Sequence, residues 1–254
     1  MRKIIEDKLR EIEKVEDVRI IFCAESGSRA WGFASPDSDY DVRFVYVRRT
    51  EEYLRLDPVR DVIEWQLDET LDINGWDIQK ALRLLYKSNP TLFEWDGSPI
   101  IYRQTAEWER IRGVMGGYFE PSVSARHYIS LAKKNYDICR ENGNIKLKKY
   151  LYCLRSMLAC SYIVSRGAVP PVLFSELVDA EFDPSLIRDV EEILRIKANA
   201  PERQYIPVPS ALDEYIAARL KYLDKAVNAL SAKGKDISVL DDIFVGILKN
   251  IKSY

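Results

Sequence analysis

An α+β fold, with a small mixed-sheet domain followed by a mainly helical one, is predicted by where two periodicities fall along the 254 residues. Runs rich in β-branched and aromatic residues all precede residue 104, at 18–26, 40–47, 62–67 and 71–76. Beyond it, apolar residues recur at helical spacing. Strands first and helices later imply an α+β domain followed by a helical bundle. The boundary is expected between 103 and 122, giving domains 1–110 and 111–254.

The elements follow in order. Ile4, Ile5, Leu9 and Ile12 share one face of a helix over 2–15. VRIIFCAES (18–26) reads as a buried strand ended by Gly27, and YDVRFVYV (40–47) as a second strand. VIEWQL (62–67) and LDINGW (71–76), separated by the turn-prone DET, suggest a hairpin. Asp77 suits the N-cap of a helix over 78–88, which stops before Asn89-Pro90. In the second half, Tyr128, Leu131, Asn135, Ile138 and Cys139 are placed on one helix face. Leu147, Tyr150, Leu151, Leu154, Leu158 and Tyr162 are placed on another. Further helices are expected near 184–198, 209–231 and 237–251. Asp241-Asp242 lies on the solvated face of the last.

Composition narrows the class. The chain is 47% hydrophobic and 31% charged, with net charge −2, so bulk electrostatics does not point to nucleic acid. No apolar run approaches the ~18 residues of a membrane span. The charged N-terminus does not read as a signal peptide. Cys23, Cys139, Cys153 and Cys160 show no metal-like pairing and read as reduced, buried residues of a cytoplasmic protein. His127 is the only histidine, which excludes a His-rich metal site and favours a surface role for it.

The stretch CAESGSRAWGFASPDSDYDVRFVYV (23–47) carries the chemistry. Side chains alternate along a strand, so Asp39 and Asp41 share a face about 7 Å apart. Such a pair is tolerated in solvent or around a cation. Mg²⁺ takes oxygen ligands and retains waters that phosphate oxygens can replace. Upstream, Gly27 lets the backbone approach a phosphate closely, and Ser28 adds a hydroxyl donor. Arg29 is a candidate second phosphate contact. Arg43, two residues beyond Asp41, either pairs with a carboxylate or reaches a phosphate. A Gly-Ser turn or an Asp-x-Asp alone is common; the two between predicted strands, Ser28 to Asp39, are more specific.

GSRAWGFASPDSDYDVR resembles the signature of the DNA polymerase β-like nucleotidyltransferases. GWDIQKALRLL (75–85), KSNPTLFEW (87–95), SPIIY (98–102), KKYLYCLRSMLAC (148–160) and PPVLFSEL (170–177) are similar to the branch associated with RNA-repair ligases. The resemblance covers roughly 20–178. It implies a palm-like α/β domain with helical additions and two bound Mg²⁺ or Mn²⁺ ions. It also implies attack by a hydroxyl acceptor on the α-phosphate of an NTP, with release of pyrophosphate. The implied acceptor is an RNA end. A protein hydroxyl, as in antitoxin relatives, and a non-catalytic binding role are the alternatives. The family's third metal carboxylate sits between hydrophobic residues on a neighbouring strand. Asp72 fits best, Asp77 is the alternative, and Glu64 is a weaker option. The catalytic and metal set is therefore Asp39, Asp41 and Asp72.

On the 146–166 helix, Lys148, Tyr152 and Arg155, with Lys149 beside them, are expected opposite the apolar face. They form either a solvated face or, as the resemblance implies, a nucleotide-binding set. Trp31 and Phe33 either stack on a base or pin the loop to the core, pinning being preferred. Trp76 and Trp95 read as core.

Overall fold

The computed structural model describes residues 1–57, 59–66, 70–199, 201, 204–231 and 234–250, with the Gln66 side chain excepted. Packing divides the chain into two compact units. The first comprises residues 1–30, 39–118 and 234–254; the second comprises 31–38 and 119–233. Where the sequence suggests one cut near residue 110, both units are discontinuous. The reason is packing: Phe33 in the 31–38 loop belongs to the helical core, and a C-terminal helix rejoins the sheet unit.

The first unit is built on a five-stranded mixed sheet. Its strands are β1 (Arg19–Ser26), β2 (Tyr40–Val47), β3 (Val62–Gln66), β4 (Leu71–Asp77) and β5 (Ile101–Gln104), in spatial order β3-β4-β2-β1-β5. β2 and β4 run parallel and every other neighbouring pair is antiparallel. Alternation sorts the side chains of β2: Val42, Phe44 and Tyr46 join Ile5, Leu9 and Ile12 of α1 (Arg2–Glu16) in one apolar cluster. Asp41 and Arg43 therefore point to the opposite face. Phe44 lies over Gly75 of β4, where a β-carbon would collide with its ring.

After β1 comes a single helical turn, α2 (Gly27–Ala30), and after β2 another, α3 (Thr50–Tyr53). α4 (Ile78–Tyr86) starts directly from β4, with the Asp77 carboxylate accepting from Gln79 N–H at 2.8 Å. α5 (Pro90–Asp96) is capped in the same way by Asn89, with Pro90 at its first position. α6 (Ala106–Met115) stacks Trp108 on Phe22 of β1 at 4.3 Å between ring centroids.

The second unit has a helical core. α7 (Pro121–Ile138) and α8 (Leu147–Arg166) form its centre, and α8 is buried on nearly every side. α9 (Phe174–Glu181), α10 (Ile187–Asn199) and α11 (Ser210–Asn228) surround them. A small antiparallel sheet joins β6 (Arg140–Glu141), β7 (Asn144–Lys146) and β8 (Tyr205–Pro207). α12 (Ser238–Asn250) belongs to the first unit, with Leu240, Ile243 and Ile247 buried and Phe244 edge-on to Tyr53.

The face expected for α7 needs correction. Leu131 and Ile138 are exposed, at 36% and 44%, while Ser122, Ser124, Ala125, Tyr128, Ile129, Ala132 and Asn135 are buried. Small residues on α7 allow close approach to α8, and that outweighs the pull of two larger apolar side chains. Arg155, expected on the outer face of α8, is 2% exposed. Among the described residues, no helix is long and apolar enough to cross a membrane.

Candidate active site on the acidic strand

The site is set by the parallel register of β2 and β4, in which Asp41 stands beside Asp72. Both side chains leave the sheet on the face away from α1. Adjacent carboxylates repel one another, and Arg43 answers that repulsion. Its Nη2 donates to Asp41 Oδ1 at 2.8 Å and to Asp72 Oδ2 at 2.7 Å. Its Nη1 donates to the Val42 and Asp72 carbonyls, both at 3.1 Å. One cationic nitrogen thus bridges two carboxylates, only partly screened by water, since Asp41 is 31% and Asp72 49% exposed in the side chain.

Gly27 closes the site from the strand before. Its φ of +63° is left-handed, and a β-carbon on it would overlap Asp41 Oδ2. The glycine is therefore required twice, for the backbone and for the carboxylate packed on it. Ser28 follows, buried, in α2. Arg29 lays its guanidinium over the Tyr40 ring at 3.7 Å, and its Nε donates to the Asp39 carbonyl at 3.1 Å. Asp39 immediately precedes β2 and is partly exposed. So Gly27, Ser28, Arg29, Asp39, Asp41 and Asp72 all belong to the first unit, at the end of the sheet where β2 and β4 begin.

The two rivals of Asp72 are otherwise engaged. Asp77 is on the alternate face of β4 and buried; besides capping α4 it accepts from the Tyr53 hydroxyl at 2.8 Å. Burial pushes its pKa up, against the pull of those hydrogen bonds. Glu64 on β3 is exposed and pairs with Arg60.

One residue at the site carries no sequence signal. Glu25 ends the apolar run of β1 and is 1% exposed. Its Oε1 accepts from the Asp41 N–H at 2.8 Å and its Oε2 from the Tyr102 hydroxyl at 2.5 Å. Burial raises its pKa above the ordinary carboxylate value. It fixes the backbone from which the Asp41 carboxylate projects. Read singly, CAES shows only a polar residue at a strand end.

Lys148, Lys149, Tyr152 and Arg155 belong to the second unit. Both lysine ammoniums lie near the Tyr152 ring, at 5.8 and 5.7 Å. Tyr152 meets Trp31 edge-on at 4.9 Å, and Phe33 is buried nearby at 6.2 Å, so the loop aromatics pin the loop. The Arg155 guanidinium covers Trp31 at 4.2 Å and donates to the Val172 carbonyl at 3.4 Å. His127 is exposed beside Tyr128, the four cysteines are free and buried, and Trp76 packs at a tilt against buried Trp95, 4.0 Å between ring centroids.

Among the described residues, no three His, Cys, Asp or Glu side chains converge tightly enough, as they stand, to hold a metal ion. The donor chemistry nevertheless suits a hard divalent cation. Asp41 and Asp72 already share one cationic partner, and Asp39 adds a third carboxylate at the strand edge.

The chain is 38% identical over 240 residues to the uncharacterized protein YcgL of Bacillus subtilis (strain 168), covering 94% of this chain and 92% of that one. A nucleotidyltransferase-like protein from Exiguobacterium sibiricum 255-15 aligns over 98% of this chain and 81% of its own, at 13% identity and a TM-score of 0.32. A family model described as the RNA repair pathway DNA polymerase beta family matches residues 1–246, and the chain belongs to that family.

Proposed function

We propose that this protein is a divalent-metal-dependent nucleotidyltransferase that moves NMP from an NTP to the hydroxyl of an RNA end and releases pyrophosphate. The observation that carries the reading is the Asp41–Asp72 pair, side by side in parallel register and bridged by one guanidinium nitrogen. Family membership supports the polymerase β-type chemistry.

The assignments follow from chemistry. Asp39, Asp41 and Asp72 would hold Mg²⁺ or Mn²⁺, which supplies charge neutralisation for the attacking and leaving oxygens. Asp72 is the carboxylate best suited to face the acceptor hydroxyl and take up its proton. Gly27 gives a phosphate room at the backbone, and Ser28 and Arg29 offer it donors. Lys148, Lys149, Tyr152 and Arg155 are assigned to the nucleotide as a working set. Arg155 is the least available of them, being buried against Trp31. Catalysis rests on positioning and fixed charge, with no covalent enzyme intermediate.

The test is incubation with each α-labelled NTP, Mg²⁺ or Mn²⁺, and a mixed pool of RNA and protein acceptors. Label on RNA with pyrophosphate release, both abolished in Asp41→Ala, is the expected result. Label on protein would replace the RNA acceptor with a protein hydroxyl. NTP binding without transfer would leave a binding protein, and no NTP binding would end the reading.

A further inference from the structure

α10 presents its buried residues as a stripe: Val190, Ile193 and Lys197. The last stands where the spacing calls for an aliphatic side chain. Lys197 is 1% exposed and among the largest fully buried side chains of the protein. Lysine is almost never buried to this degree without a dedicated partner, because removing an ammonium from water is costly. Its Nζ donates to Ser35 Oγ at 2.8 Å, across 162 residues of chain.

Ser35 opens a closed turn. Its N–H donates to Ser38 Oγ at 2.9 Å, and its carbonyl accepts from Ser38 N–H at 3.1 Å. The two hydroxyl oxygens are 2.9 Å apart. Lys197, Ser35 and Ser38 thus form one hydrogen-bonded line, and the residue after Ser38 is Asp39. The other end of the loop is anchored as well. The Trp31 carbonyl accepts from Phe174 N–H at 2.9 Å, with Arg155 over the indole. The turn closes at Ser38, whose peptide bond leads directly to Asp39.

We propose that Lys197 is a positioning residue for the nucleotide site: its buried ammonium, through Ser35 and Ser38, locks the turn that delivers Asp39. This rests on the reading of Asp39 as a metal carboxylate. Lys197 touches neither metal nor nucleotide in this role. It acts as outer-shell partners of metal ligands do, by holding the backbone that carries the ligand.

The test measures Mn²⁺ binding by electron paramagnetic resonance, in the presence of a non-hydrolysable NTP analogue, alongside thermal melting. Lys197→Met keeps the stem and removes the donor; Ser35→Ala removes the hydroxyl that accepts from it and leaves the α10 sequence unchanged. Each should weaken Mn²⁺ binding by about tenfold or more. The double variant should be no weaker than the worse single one, because both break the same line. Ile193→Ala, on the same buried stripe, should lower the melting temperature and leave Mn²⁺ affinity unchanged. Wild-type-like Mn²⁺ binding in Ser35→Ala would overturn the proposal, as would an equal loss in Ile193→Ala. Failure of the wild type to bind Mn²⁺ with the analogue would instead refute the nucleotidyltransferase reading itself.

Discussion

Two aspartates five positions apart in the sequence have opposite surroundings, and the pairing register separates them. Asp72 stands beside Asp41 with its side chain half exposed; Asp77 caps a helix and is buried under Tyr53. Asp72→Ala should therefore abolish nucleotidyl transfer with little change in melting temperature. Asp77→Ala should retain metal binding and lose roughly 0.5–2 kcal/mol of stability, the usual cost of an N-cap. Paired activity assays and thermal melts of the two variants check this, and the reverse pattern would exchange the assignments. Arg43 yields a second prediction. Its guanidinium is the shared counter-charge of Asp41 and Asp72. In Arg43→Gln the metal-free protein should lose roughly 1 kcal/mol. The rise in melting temperature on adding Mg²⁺ should grow, because the ion no longer displaces an internal cation. An unchanged Mg²⁺ response would show that Arg43 and metal do not compete.

At the scale of elements, β1 matters to the site through Glu25. The folded protein binds the Glu25 proton more tightly than the unfolded chain, since burial raises its pKa. On this account stability falls as pH rises from the ordinary carboxylate value through the raised folded one. Glu25→Gln keeps an oxygen for the Asp41 N–H and removes the titrating group. The variant should gain on the wild type between about pH 4 and about pH 7. Urea midpoints at the two pH values measure it, and parallel trends would exclude Glu25 as the source. The same element shows what the sequence hides. The strands and the Gly-Ser to Asp-x-Asp spacing are visible because β-branched runs and glycine corners are local signals. Glu25 is not, because its meaning depends on Tyr102 and Asp41, far away in sequence. α7 fails for a related reason: serine and alanine carry no hydrophobic signal, yet they decide which face can approach α8. Arg155 reads as solvated until Trp31 is placed beneath it.

For the molecule as a whole, both compact units are discontinuous in sequence, and neither is a contiguous cut of the chain. α12 belongs with the sheet unit, where it buries Leu240, Ile243 and Ile247. Its approach is anchored too, by Tyr118 donating to the Asp236 carbonyl at 2.7 Å. Deleting residues from 234 onward should therefore destabilise the sheet unit, by several kcal/mol for three buried aliphatic side chains. The deletion is read by hydrogen exchange, with lost protection expected in α4 and α6, which pack against α12. Loss confined to the helical unit would contradict the assignment.

The contact between Lys197 and Ser35 also sets a schedule for biosynthesis. The loop that leads into Asp39 leaves the ribosome 162 residues before its buried partner. At roughly 5–20 residues per second, that is a wait on the order of ten seconds. During that time the acidic strand exists without the lysine that completes its loop. A nascent chain carries the carboxylates well before it carries their full support. A truncated translation product ending before α10 would bear the whole signature motif without the hydrogen-bonded line that braces it.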